Sequence, residues 1–216
     1  MSREKMMIKV CGMREPANIR AVESLGPSLM GFIFHDGSPR CAAGVAPEVV
    51  RNLANGVRPV GVFVNRSADY IDKTCREYGI GIVQLHGDET PGDCRELSRR
   101  GYEVMKAIAV TPHIDWEAYR RYEGVVSMFV LDSSSPRRGG SGCKFDWSVL
   151  RGYPLSVPYL LGGGIGPEDA SLVAATAYPG MAGVDLNSRF EESPGLKNPD
   201  ILRSFIVSLG KTEENE

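Results

Sequence analysis

The sequence predicts a single (β/α)8 TIM barrel. Short apolar runs rich in strand-forming residues alternate with segments of helical period along the whole chain. The runs number eight, so 216 residues give about 27 per strand–helix unit, near the lower size of such barrels. A doubly wound open sheet shares the alternation, but no dinucleotide-binding fingerprint follows the first run.

In order, the first strand, Met7-Ile8-Lys9-Val10-Cys11, ends at Cys11, and a helix is expected over 16–25. The second strand ends near Phe34 and its helix covers 47–53; the third ends near Val64, before a helix over 68–78. The fourth ends near His86, before 91–100, and the fifth near Ala109, before 114–122. The sixth closes on Asp132 and is followed by only a short helix over 146–150. The seventh ends near Gly162, before 167–175, and the eighth near Asn187, before 199–209. Pro16, Pro47, Pro91, Pro167 and Pro199 each follow an acidic, small or capping residue, a normal way to start a helix. No composition shift or long linker divides the chain. Residues 1–210 are therefore expected to form one catalytic domain and 211–216 a frayed tail.

Hydrophobic residues at 42% and charged residues at 24% describe an ordinary soluble protein. A net charge of −2 offers no electrostatic reason to bind nucleic acid or an anionic membrane. No apolar run approaches the roughly 20 residues of a spanning helix, and the start reads directly into a strand rather than a signal peptide. Five scattered cysteines without C-x-x-C spacing argue against a disulfide framework or structural zinc. A cytoplasmic protein, monomeric or homodimeric, is expected.

A parallel barrel gathers all its strand ends on one face, where catalytic groups meet. Side chains two apart on a strand share a face, so Lys9 points with Cys11, Gln84 with His86 and Val130 with Asp132. Cys11 is either a base, with Lys9 favouring its thiolate, or a small buried packing thiol. Asp132 in a half-buried mouth is either a proton donor or a cap for the loop after it. That loop, with Gly139-Gly140-Ser141-Gly142, suits a cover that closes over substrate. Arg40, after the second strand, can hold a substrate carboxylate in a bidentate pair or stand solvated. His86 is either a polar wall or a satisfied interior histidine, and His35 and His113 are not spaced to join it around a metal. The strongest binding signal is Gly162-Gly163-Gly164 after strand seven together with Asp185, Asn187 and Ser188 at the end of strand eight. Barrels commonly bind phosphate there through backbone N–H groups, although a glycine cluster also serves plain tight turns.

Taken in order, Lys9-Val10-Cys11-Gly12-Met13, Gly31-Phe32-Ile33-Phe34 with Ser38-Pro39-Arg40, Val60-Gly61-Val62-Phe63-Val64-Asn65, Val83-Gln84-Leu85-His86-Gly87, Leu131-Asp132, Phe145-Asp146-Trp147, Gly163-Gly164 and Val184-Asp185 resemble phosphoribosylanthranilate isomerase of tryptophan biosynthesis. The resemblance runs from about Lys9 to Phe205. It implies an Amadori rearrangement of N-(5-phosphoribosyl)anthranilate by general acid–base catalysis, without cofactor or metal. Asp132 then corresponds to the acid that opens the furanose ring, Cys11 to the base at C2′, Arg40 to the group facing the anthranilate carboxylate, and the last two loops to the phosphate site.

Two departures stand out. Asn187-Ser188-Arg189 replaces the frequent Ser-Ser-Gly, leaving Arg189 free to point either way, and Phe34-His35-Asp36-Gly37 replaces a more aromatic segment, leaving His35 without a role. Other phosphosugar barrels are the nearest rivals. An indole-glycerol-phosphate synthase needs a catalytic lysine at a strand end, and a pentose-phosphate epimerase needs paired acids with metal-binding histidines. A non-catalytic phosphosugar-binding barrel would require neither Cys11 nor Asp132.

Overall fold

The computed structural model describes residues 6–54, 56–133, 144–176 and 178–213. Eight parallel strands close into a barrel in chain order: β1 (Met7–Cys11), β2 (Leu29–Ile33), β3 (Arg58–Phe63), β4 (Ile82–Leu85), β5 (Glu103–Val110), β6 (Met128–Ser133), β7 (Tyr159–Leu161) and β8 (Met181–Leu186). Pairing of β1 with β8 seals the ring and sets Lys9 opposite Asp185. Around it run α1 (Pro16–Glu23), α2 (Pro47–Arg51), α3 (Ala68–Tyr78), α4 (Pro91–Arg99), α5 (Glu117–Arg120), α6 (Ala170–Ala175) and α7 (Pro199–Glu213).

Local chemistry accounts for the firmer helices. Ser67 caps α3 by accepting from the Tyr70 backbone, and Gly79 ends it in the left-handed conformation. Thr90 and Asp93 form a reciprocal capping box on α4. Elsewhere the expected helices are short or partly 3₁₀. The helix expected over 114–122 is the single turn α5, where Asp115 Oδ1 accepts from the Glu117 N–H (3.1 Å) and i→i+3 bonds tighten both ends. The segment 167–175 divides into a 3₁₀ turn at Pro167–Asp169 and then α6, while 146–150 is a 3₁₀ turn over Trp147–Gly152. Helix α7 continues to Glu213, into the tail expected to fray, and 214–216 lie outside the described residues.

A 3₁₀ turn (Ser188–Phe190) and a small antiparallel hairpin follow β8; neither was anticipated. Its strands are β9 (Glu191–Ser193) and β10 (Leu196–Lys197). Asn18 of α1 donates to the Lys197 carbonyl (2.7 Å) and accepts from the Lys197 N–H (2.8 Å), which pins the hairpin to the first helix.

The strand alternation is as expected. Val10, Phe129 and Leu131 pack outward against the helices, whereas Cys11, Val62, Met105, Val130 and Leu160 fill the barrel interior. Burying these two layers drives folding, and the interior layer ends upward in polar side chains.

Candidate active site

The C-terminal ends of the strands surround a cavity of about 640 Å³. Cys11, Arg40, His86, Asp132, Gly163, Gly164, Asp185, Asn187 and Ser188, all expected at the site, line it. The Gly139–Gly142 cover expected from the sequence lies outside the described residues.

On the β1–β8 side, Cys11 is buried. Lys9, wholly enclosed, donates to Asp185 Oδ1 at 2.8 Å. Burial alone would depress the Lys9 ammonium, but Asp185 and the Cys11 thiol outweigh it and hold Lys9 above its ordinary value. Burial pushes the Cys11 thiol up; Lys9 and Lys197 pull it back while Asp185 adds to the rise. Lys9 therefore does favour the thiolate, as its position suggested, but desolvation is the larger influence. Asp185 lines the cavity with its carboxylate already engaged by Lys9.

Gly12 makes this crowding possible. Its φ is +82°, and a Cβ there would lie 2.7 Å from Arg40 Cδ and 2.9 Å from Asn187 Oδ1. The reading of Arg40 as either a carboxylate ligand or a solvated loop residue is incomplete. Its Nε donates to both carboxylate oxygens of Glu191 (2.9 and 3.1 Å) and its Nη2 to Oε2 (2.7 Å). Lys197, fully buried, donates to Glu191 and to Asn187 Oδ1 (2.9 Å). Burial raises the Glu191 carboxyl, but its bond from Arg40 and the charge of Lys197 more than offset this, so it stays below its ordinary value. Burial depresses Lys197, and Glu191 only partly compensates. Sequence reasoning missed Glu191 and Lys197. The available signal was a Pro194-Gly195 turn flanked by an acid and a base.

On the β4–β6 side the partners among the described residues are fewer. Asp132 Oδ1 accepts from the Ser133 N–H at 2.8 Å, and Oδ2 lies 3.6 Å from His86 Nε2. Gln84 Nε2 sits 2.9 Å from His86 Nδ1. With the amide as donor, the ring's proton resides on Nε2, facing Asp132. Asp132 and His86 side chains are 18% and 17% exposed, so this wall meets solvent. Gly163, at φ +70°, packs under it; a Cβ there would lie 2.5 Å from the Ser133 nitrogen and 3.3 Å from Asp132 Oδ1.

Beside that wall, Gly163 and Gly164 face Asn187 and Ser188 across the loops after β7 and β8. Arg189 turns away to Glu168 (2.7 Å) and is 43% exposed, which answers which way it points.

A family model for N-(5'phosphoribosyl)anthranilate (PRA) isomerase matches residues 8–208. A Parabacteroides distasonis protein named N-(5'-phosphoribosyl)anthranilate isomerase is 44% identical over 206 residues, covering 94% of this chain and 93% of that one. The crystal structure of phosphoribosyl anthranilate isomerase from Thermotoga maritima superposes with a TM-score of 0.85 at 30% identity, over 96% of this chain and 100% of that one. A structure of the isomerase in complex with reduced 1-(o-carboxyphenylamino)-1-deoxyribulose 5-phosphate superposes with a TM-score of 0.80 at 28% identity, over 96% and 100%.

Proposed function

The chain belongs to the N-(5'-phosphoribosyl)anthranilate isomerase family, and on that premise we propose how its cavity carries out the family's reaction. The enzyme is an intramolecular aldose–ketose isomerase of tryptophan biosynthesis. It converts N-(5-phosphoribosyl)anthranilate to 1-(2-carboxyphenylamino)-1-deoxyribulose 5-phosphate.

The observation that supports the assignment of roles is the placement of Cys11 and Asp132 on different walls of one cavity that also holds the Gly163-Gly164 turn. Asp132 gives its proton to the furanose ring oxygen; the C1′–O bond breaks and the anthranilate nitrogen becomes a Schiff base. The Cys11 thiolate then takes the C2′ proton, and the electron pair moves into the imine to give an enolamine. Tautomerisation of the enolamine yields the ketone. The imine accepts the electrons, so the step needs no cofactor. The substrate's phosphate sits between Gly163-Gly164 and Asn187-Ser188, held mainly by backbone N–H groups, and its ring carboxylate meets Arg40. His86 walls the pocket beside the acid, and Asp185 serves through Lys9 rather than by touching the phosphate.

The catalytic unit is residues 1–210, working in the cytoplasm as a monomer or homodimer. Free thiols at Cys11, Cys41, Cys75 and Cys94 suit a reducing compartment, and no described helix is long and apolar enough to cross a membrane. A fluorescence assay following consumption of phosphoribosylanthranilate tests the proposal. The folded protein should consume it and Cys11→Ala should not. Equal turnover by both would overturn the assignment of the base.

A further inference from the structure

An arginine guanidinium has two edges able to take a carboxylate in a parallel pair, one formed by Nε with Nη2 and one by Nη1 with Nη2. In Arg40 the first edge is fully occupied by Glu191, with Nε at 2.9 Å from Oε1 and Nη2 at 2.7 Å from Oε2. The Arg40 and Glu191 side chains are 11% and 4% exposed. Glu191 is fixed in turn by Lys197 Nζ and by the Gly195 N–H (3.1 Å), and Lys197 is tied through its backbone to Asn18. A flexible side chain on a loop is thus locked from behind by a chain of bonds reaching the first helix. Among the described residues nothing occupies its second edge, and Arg40 lines the cavity.

We propose that Glu191 is a positioning residue that sets substrate specificity: it holds Arg40 by one edge so that the other is presented, already oriented, to the carboxylate on the substrate's aromatic ring. Orientation paid for during folding does not have to be supplied on binding. Glu191 also balances one of two neighbouring cations, leaving the Arg40–Glu191–Lys197 group with a single net positive charge for an anionic ring substituent. The inference rests on the reading that Arg40 meets the ring carboxylate, and the test separates the two.

The probes are reduced 1-(o-carboxyphenylamino)-1-deoxyribulose 5-phosphate and the same compound lacking the ring carboxyl, titrated by calorimetry into the full-length protein. The unaltered enzyme should prefer the carboxylated probe. Glu191→Gln should reduce that preference by about tenfold, the scale of one well-oriented charged pair, with little change for the probe without carboxyl. In turnover, KM should rise by more than kcat falls. Because Glu191→Gln leaves Lys197 buried without its partner, the double variant Glu191→Gln/Lys197→Met keeps the test valid if the single one folds poorly, and the preference should again be lost. In an Arg40→Ala background Glu191→Gln should cause no further loss. If Arg40→Ala keeps the preference, Arg40 does not meet the carboxylate, and both the reading and the inference fall. If Arg40→Ala abolishes it while the Glu191 variants retain it, the positioning role alone is wrong. Tighter binding of the carboxylated probe to Glu191→Gln would mean that Glu191 competes for the guanidinium, which also overturns the proposal.

Discussion

Around Cys11 the barrel packs Lys9, Asp185, Lys197, Glu191 and Arg40 into a nearly dry cluster, every charge set against another. Around Asp132, among the described residues, there is one backbone N–H, a histidine at 3.6 Å and contact with solvent. In the proposed mechanism the two walls serve the same substrate yet solve different physical problems. A thiol removed from water has its proton affinity decided by the charges packed beside it, and those charges must be held by elements far apart in the chain. A carboxyl acting as the proposed acid would have to give up a proton and regain one in every cycle, which needs access more than enclosure. The wall of the proposed base is shaped by burial, and that of the proposed acid keeps partial contact with solvent.

The contrast predicts a ranked set of effects. Cys11→Ala should eliminate turnover while the protein still folds and binds the reduced product, and Cys11→Ser should be nearly as inactive, since a hydroxyl is far too weak a base at neutral pH. Steady-state kinetics with product-analogue titration checks both; near-normal turnover by the alanine variant would dissolve the contrast. Asp132→Asn keeps shape and hydrogen bonding but loses the proton, so kcat should fall by about 10² or more. A loss confined to KM would make Asp132 a binding residue.

A third effect sharpens the comparison through pH. Burial holds the Cys11 thiol above its ordinary value, so the thiol carries its proton as pH falls and releases it only as pH climbs. Below that limb kcat/KM should drop about tenfold per pH unit. Lys197→Met removes one of the cations that pull the thiol down and should move the limb to higher pH. Lys9, Asp185, Glu191 and Arg40 remain around the thiol in that variant. A pH–rate profile that does not shift would mean Lys197 has no hold on the base. The smallest effect belongs to Arg189, which is exposed and paired with Glu168 rather than turned into the cavity. Arg189→Ala should weaken phosphate binding by about 1 kcal/mol or less. A much larger loss would make it a direct ligand and add a third charged wall.

Those walls were unequally legible in the sequence. Cys11 and Asp132 were visible because each closes an apolar run, and the period of two along a strand fixed their inward direction. The same period placed Lys9 beside Cys11, but not the opposing Asp185, which depends on β1–β8 register. Glu191 and Lys197 escaped notice because strands of three and two residues leave no periodic trace. The partnership of Arg40 with Glu191 spans 151 residues, beyond the reach of any local pattern. The apolar spacing over 114–122 runs past the single helical turn that forms at Glu117–Arg120, so the expected helix is longer than the one present.

The bond between Asn18 and Lys197 joins positions 179 residues apart. Together with the Lys9–Asp185 pair it means the Cys11 thiol acquires its full electrostatic surroundings only after the two ends of the polypeptide meet. Contacts of such separation form late, because loop-closure entropy opposes them until much of the structure is in place. During synthesis a nascent chain carries Lys9 and Cys11 from the outset, yet Asp185 and Lys197, which complete the charges around the thiol, emerge last. Enzymatic activity is thereby a reporter of ring closure: a chain ending before β8 keeps Cys11 and Asp132, the proposed proton-transfer residues, yet lacks Asp185 and Lys197 and should be silent.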